Sequence, residues 1–415
     1  MEEEDVVILG AGIAGLATAV ALKRVGIRAL VIEKSEGLRA TGATLSLYPN
    51  GWFAMDALGV SHKLINLYSP CKRAYITNVD TGATREVSFT RADRSGAVLR
   101  VVHRKALLEA LAEELPKDTI RFSSKLTSIR TKAQKGSSIA LIQMEDGTTI
   151  RAKALIGCEG VHSVVAARCL GLTVPINSGR WAVRGLARFP QGHGLNHDFQ
   201  QFVTAGAKRA GFVPLNDKEL YWFLTGKATL IGKDMARDPK VIQKEVIDKF
   251  AQDLPQLYTV IVQHSDLSTI TWAPMLHRFP WDIIFGNVSK GNITVAGDAM
   301  HPMTPDIGQN ECAALEDAVV LGQQFGELFA QRSRLVPLEV AQALTKYAQK
   351  RRWRAAGLIA TSYLSGWVQL GGSGWYMKFL RDVVFYRLLH NKVLDVIHYD
   401  CGKLPCVSSC RELKN

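Results

Sequence analysis

Cysteine is sparse in this chain: seven in 415 residues, dispersed, odd in number and without a C-x-x-C pair. That argues against a disulfide-stapled scaffold and fits thiols in a reducing compartment. No apolar run approaches the roughly 20 residues that cross a bilayer. There is no low-complexity tract and no repeat with a period of roughly 20–50 residues, so solenoids and arrays are out. Lysine and arginine are scattered, and no basic block with interleaved aromatics points to nucleic acid. No His–Asp or Cys–His pair marks a nucleophile. One possible metal group, His398, Cys401, Cys406 and Cys410, matches no familiar zinc spacing, so no metal is expected. The first strand is expected from about Asp5, which leaves no room for a signal or transit peptide; an intracellular, cytoplasmic protein is expected.

What is present is an ordinary globular composition, 47% hydrophobic and 21% charged. The length suggests about two to three domains. A net charge of +13 could steer an anionic ligand or an acidic membrane surface; a solvated basic face is the plainer reading.

The N-terminus reads as one complete βαβ unit. Asp5–Leu9 is an apolar run of strand length, and Gly10, Gly12 and Gly15 follow as G-x-G-x-x-G, with Ile13 and Ala14 inside the motif. LATAVALKRV then reads as a helix that Gly26 ends, and Arg28–Ile32 as a second strand closed by Glu33 and Lys34. The first glycine permits a tight turn, the second a close approach of a pyrophosphate, and the third close helix–strand packing. The helix N-terminus offers free N–H groups to the phosphates. Glu33 stands where an acid receives ribose hydroxyls, and its charge would repel a 2′-phosphate. The unit therefore binds a dinucleotide, FAD or NAD rather than NADP, and alone it does not choose between those two.

Further along, AYITNV and REVSF read as short strands, RKALLEALAEEL as a helix, and Asp146-Gly147 as a hairpin turn. Residues 179–271 are mostly β and aromatic-rich, with a turn at Asn216-Asp217 and an amphipathic helix at 238–253. The expected organisation is α/β. A discontinuous Rossmann-like nucleotide domain takes 1–74, 100–178 and 272–340. A β-sheet substrate domain at 75–99 and 179–271 is inserted into it, and 341–415 form a helical C-terminal region. The tail's Trp, Tyr, Lys and Arg beside apolar residues could suit a membrane interface; packing on the first domain is favoured.

The most telling segment is ITVAGDAMHPMTPDIGQNECAALED, residues 293–317: a buried strand, Gly297-Asp298, a proline-punctuated loop and a new helix. With Gly10–Gly15, Arg39, Arg104 and Gly157–Ser163, it makes the chain resemble the FAD-dependent aromatic hydroxylases, single-component flavoprotein monooxygenases. The closer likeness is to the plant branch described as urate- or salicylate-hydroxylase-like, a setting of plant specialised metabolism. The resemblance covers nearly the whole chain. It implies the aromatic-hydroxylase fold with FAD as cofactor. NADPH or NADH would be a transient co-substrate, with no second fingerprint of its own. O2 and a small, electron-rich, aromatic substrate complete the reaction. By the same resemblance, Asp298 holds a ribityl or ribose hydroxyl, and Pro305, Gly308 and Gln309 run beside the isoalloxazine. Gly42 and Ala43, after Thr41, pass the flavin edge. Arg39 and Arg104 lie near the cofactor, Arg104 reaching its phosphates. A monomer is favoured.

Two places depart from that pattern. Glu159 stands where the family has an Asp serving FAD and nicotinamide, which moves the charge by one methylene. Asn310 and Glu311 stand where glycines are usual. Pointed inward, Glu311 would oppose the anionic reduced flavin, giving weak flavin binding or slow reduction. Pointed outward, it would merely complement the helix dipole, and outward is favoured. The pocket candidates are Arg184, Phe202, Phe212, Pro214, Trp222 and Phe223, against plain core packing for the aromatics. A flavin-binding protein with little turnover, or an oxidase or reductase without oxygen insertion, are the competing functions.

Overall fold

The computed structural model describes residues 1–38, 44–89, 98–134, 137–204, 208–228, 238–332, 334–370 and 395–406. Arg39, Thr41, Gly42, Ala43 and Cys410 lie outside these, as does most of the aromatic tail.

Two sheets organise the chain. In the first, the strand Glu2–Leu9 lies between Thr149–Gly157 and Ala29–Ile32, parallel to both. Ile293–Val295 extends it in parallel beside Thr149–Gly157. The continuous apolar runs of these strands suit a sheet buried on both faces, and Val6, Val7, Ile8, Leu155 and Ile156 are fully buried. The first strand starts at Glu2 rather than Asp5, because the parallel register with residues 150–157 runs to its beginning. Gly10 follows that strand, Cys158 follows Gly157, and Ala296 follows Val295. Three loops therefore meet at one end of the sheet, at the carboxyl ends of parallel strands, where such sheets bind ligands.

The second sheet has seven strands, in the order Thr271–His277, Ile176–Arg188, Glu219–Lys227, Arg209–Asn216, Phe199–Val203, Arg73–Asn78 and Thr84–Ser88. It extends past residue 271, the expected boundary, because Thr271–His277 pairs antiparallel with Ile176–Arg188. Helical segments Pro239–Glu245, Val246–Phe250 and Gln256–Gln263 cover one face; the first two run on without a break within the helix expected at 238–253, and the third follows it. The long helix Asn310–Arg332 packs on the first helix, Ile13–Arg24, and on Pro337–Leu370, which begins four residues before the expected 341. No helix among the described residues is long and apolar enough to cross a membrane.

Candidate active site

The glycine turn is tight by contact. A Cβ on Gly15 would lie 1.9 Å from the Gly10 carbonyl oxygen, and one on Gly10 2.6 Å from that of Cys158. Gly12 is different: a Cβ there meets nothing within 4 Å. Gly12 is also the N-cap of the first helix and supplies no side-chain cap, so the leading N–H groups, at Ile13 and Ala14, receive none from it. Glu33, nearly buried, accepts hydrogen bonds from Ala11 N–H and Ser35 N–H, both at 2.9 Å, and so braces the turn. Lys34 beside it is exposed.

The second motif rests on the first. Gly297 takes φ +61°, and a Cβ there would come within 2.8 Å of Ala14 Cβ. Its N–H donates to Asp317 Oδ2 at 2.8 Å; the same oxygen lies 2.6 Å from His301 Nε2, and Oδ1 accepts from Arg351 Nε at 2.6 Å. Burial raises the Asp317 carboxyl, but His301 and Arg351 outweigh it and bring it down to about 2. Arg351 also donates to Glu316, which accepts from Asn50 and Arg354 as well. His301 and Asp317 are thus scaffold for the Gly297-Asp298 turn. Arg351, some thirty-four positions on, is invisible as their partner in a linear pattern.

Between the loop 302–311 and the second sheet lies a cavity of about 630 Å³. Asp298, Pro305, Gly308, Asn310, Glu311 and Arg104 line one side, with Arg184, Arg209, Tyr221 and Phe223 on the sheet side. Asp306 anchors the two together. It receives Arg180 through both carboxylate oxygens at 2.7 Å and Arg209 at 3.1 Å. Burial pushes its carboxyl up, yet the two guanidiniums leave it below the usual range.

Glu311 faces this cavity, contrary to the outward expectation. Its Oε1 lies 3.7 Å from Arg104 Nη1, too long for a hydrogen bond, while Arg104 Nε has no partner. The Glu311 side chain, a quarter exposed, lines the cavity beside Asn310. Burial raises the Glu311 carboxyl, and Arg104 opposes that only in part. Asn310 donates to Met303 O at 2.9 Å and to Asp298 Oδ1 at 3.3 Å. Neither residue has a positive φ, so the backbone here does not demand glycine.

Other expected residues lie elsewhere. Gln309 turns into the protein and accepts from Asn50 at 2.8 Å. Glu159 serves its own turn, accepting from Ser163 Oγ at 2.7 Å and Val165 N–H at 3.1 Å, and does not line the cavity. Of the pocket candidates, only Arg184 and Phe223 reach it. Side chains alternate along a strand, so on Glu219–Lys227 Tyr221, Phe223 and Thr225 face the cavity, whereas Trp222 faces the covering helices. Phe202 and Phe212 join Trp222 in that core, and Pro214 is buried away from the cavity. Strand parity was the missed signal: counting in twos from Arg184 and Phe223 would have selected Tyr221 and Thr225.

The FAD binding domain family matches residues 3–362. The chain belongs to this family. It is 40% identical to Monooxygenase 2 of Arabidopsis thaliana over 97% of this chain and all of that protein. To an FAD-dependent urate hydroxylase of Klebsiella pneumoniae it is 28% identical, covering 85% and 87% of the two chains. The crystal structure of Klebsiella pneumoniae HpxO with FAD and uric acid superposes with a TM-score of 0.80 at 24% identity, over 97% and 98% of the two chains. Within the family, then, this is an FAD-dependent monooxygenase of the aromatic-hydroxylase fold.

The residues present fit FAD at its nucleotide end: open space over Gly12, an uncapped helix N-terminus, and Glu33 beside the turn. At the other end, Asp298, Pro305 and Gly308 border the cavity in a way that would accept a flat ring, with Glu311 as the added charge.

Proposed function

We propose that the chain uses NAD(P)H and O2 to hydroxylate, or epoxidise, a small electron-rich substrate held in the 630 Å³ cavity. The observation that carries this reading is the cavity's position, between the Asp298–Glu311 side of the FAD domain and an aromatic sheet. Bound FAD supplies the redox and oxygen-transfer chemistry. Gly10, Gly12, Ile13, Ala14, Gly15 and Glu33 would hold its nucleotide end, and Asp298, Pro305, Gly308 and Arg104 would border the rest. Phe199, Tyr221 and Phe223 shield the cavity from water and stack against a planar substrate. Arg180 and Arg209, through Asp306, keep the loop and sheet in fixed relation.

The test is the visible spectrum of the purified protein, followed by NAD(P)H consumption with candidate substrates. Flavin absorbance with substrate-stimulated consumption and an oxygenated product supports the reading; peroxide as the sole product supports an oxidase. One observation favours a second reading, a flavin-binding protein with slow turnover: the inward Glu311 carboxylate.

A further inference from the structure

We propose that an exposed aromatic face, built from the helix Pro337–Leu370, residues 278–292 and the turn at 172–176, docks on the surface of an anionic lipid bilayer.

Three stretches distant in sequence bring apolar side chains to this face. Thr173 Oγ1 donates to Asp282 Oδ2 at 2.8 Å, which sets the exposed Val174 and Ile176 beside the helix Pro280–Ile284. That helix and the residue after it expose Trp281 and Phe285, the latter by 83%. Arg352 on the long helix donates to Ile284 O at 2.8 Å and to Gly286 O at 3.2 Å, fixing the two helices side by side. Rings close the seam between them. Tyr363 lies 5.0 Å from His277, His277 lies 5.5 Å from Phe279, and Phe279 stacks on Trp281 at 4.4 Å. On the long helix itself, Trp353, Gly357, Ala360, Leu364 and Trp367 follow at the alternating four- and three-residue steps of one face, and all five are exposed. The opposite face, with Ala355, Leu358 and Ile359, is buried. From Trp353 onward the helix is therefore apolar on both sides, one packed on the protein and one turned outward.

A contiguous apolar surface assembled from separate elements marks an interaction site, unlike apolar residues scattered singly. Charge selects the occupant. Along 165–180, 278–292 and 346–368 the exposed charged side chains are Arg168, Lys290, Lys346 and Lys350, all of them cations. The one carboxylate of these stretches, Asp282, is half-buried and held by Thr173. A second copy presenting the same face would bring like charges together. Anionic headgroups neutralise them instead, and let the rings enter the boundary between headgroups and acyl chains. Tryptophan and tyrosine suit that boundary, with an apolar body on one side and a polar tip on the other. The contact is peripheral, since no helix among the described residues is long and apolar enough to cross a membrane.

The experiment mixes the FAD-loaded, full-length protein with phosphatidylcholine vesicles, with and without phosphatidylserine, and measures binding by flotation. The anionic vesicles should bind it about tenfold or more tightly than the neutral ones, and high salt should weaken that binding. Trp281→Ser, Phe285→Ser and Trp353→Ser combined should cut it about tenfold or more, with FAD affinity and circular dichroism unchanged. Lys346→Glu with Lys350→Glu should lower the preference for anionic lipid about tenfold while leaving the aromatic face intact, and so keeps the test decisive if the triple variant misfolds. Vesicles with brominated acyl chains should quench the tryptophan fluorescence of wild type, and quench it less in the triple variant. No binding to vesicles, equal binding to neutral and anionic vesicles, or binding that survives both sets of substitutions would overturn the proposal. So would a dimer, seen by light scattering, that the triple variant abolishes.

Discussion

At the glycine turn, the groups that face the cofactor site belong to the backbone; at the start of the Asn310 helix, they belong to side chains. Gly12 leaves open space over the uncapped N-terminus of the first helix. Some three hundred residues later, a second helix N-terminus also faces the site, but Asn310 bonds to Asp298 and Glu311 puts a carboxylate into the cavity. Both ends use the same device, a helix N-terminus aimed at an anionic partner. At the first, the Glu33 carboxylate is tied to the turn by Ala11 and Ser35 N–H; at the second, the Glu311 carboxylate lines the cavity. The nucleotide end should therefore bind with ordinary family strength, while the flavin-ring end is held back.

The harshest way to break the comparison is to remove the scaffold behind the second end. Arg351→Met removes the cation that the fully buried Glu316 and Asp317 share, leaving Arg354 on Glu316 and His301 on Asp317. Removing one partner of a buried ion pair costs about 3–5 kcal/mol, read as a lower denaturation midpoint. The same network has a pH signature. The folded Asp317 carboxyl, at about 2, lies below its unfolded value. Its stabilisation is therefore present above the ordinary carboxylate range and fades as pH falls toward 2, which acid titration of wild type against Arg351→Met would show.

Next in size is the first end. Gly15→Ala places a Cβ 1.9 Å from a backbone oxygen, so helix and turn must separate. FAD affinity should fall about a hundredfold, on the order of 3 kcal/mol, measured by flavin fluorescence on titration.

Glu311→Gln acts in the opposite direction. Because burial raises the Glu311 carboxyl, its ionised form is the costly one, and that cost grows as pH rises past the usual carboxylate range. The variant should hold FAD about tenfold more tightly than wild type in mildly alkaline buffer, and the two should converge at acid pH, where both side chains are neutral. Smallest of all is Glu159→Gln. Its carboxylate serves Ser163 and Val165 N–H, so FAD affinity should move by less than about twofold while stability drops about 1 kcal/mol.

The βαβ unit and the Gly297-Asp298 turn were legible in the sequence because local residues carry them: an apolar run, glycines at set offsets, an acid at a strand end. The substrate wall was legible only in part. Arg184 and Phe223 were picked by composition, and Phe202, Phe212 and Trp222 equally so, although pleat parity sends these three to the other face. The partners of Asp306 and Asp317 were not legible at all. Arg180, Arg209 and Arg351 reach them across sheet and helix, and nothing in their own neighbourhoods distinguishes them from surface arginines. The orientation of Glu311 depended on where the first turn of its helix points, a tertiary fact.

The two-ended account is tested most directly by titrating the apoprotein, wild type and Glu311→Gln, with FAD and with ADP, which offers only the nucleotide half. The account predicts equal ADP affinity in both proteins and FAD affinity about tenfold higher in the variant at mildly alkaline pH. If FAD and ADP affinities shift together, or if neither shifts, Glu311 does not act at the flavin-ring end and the contrast between the two ends is wrong.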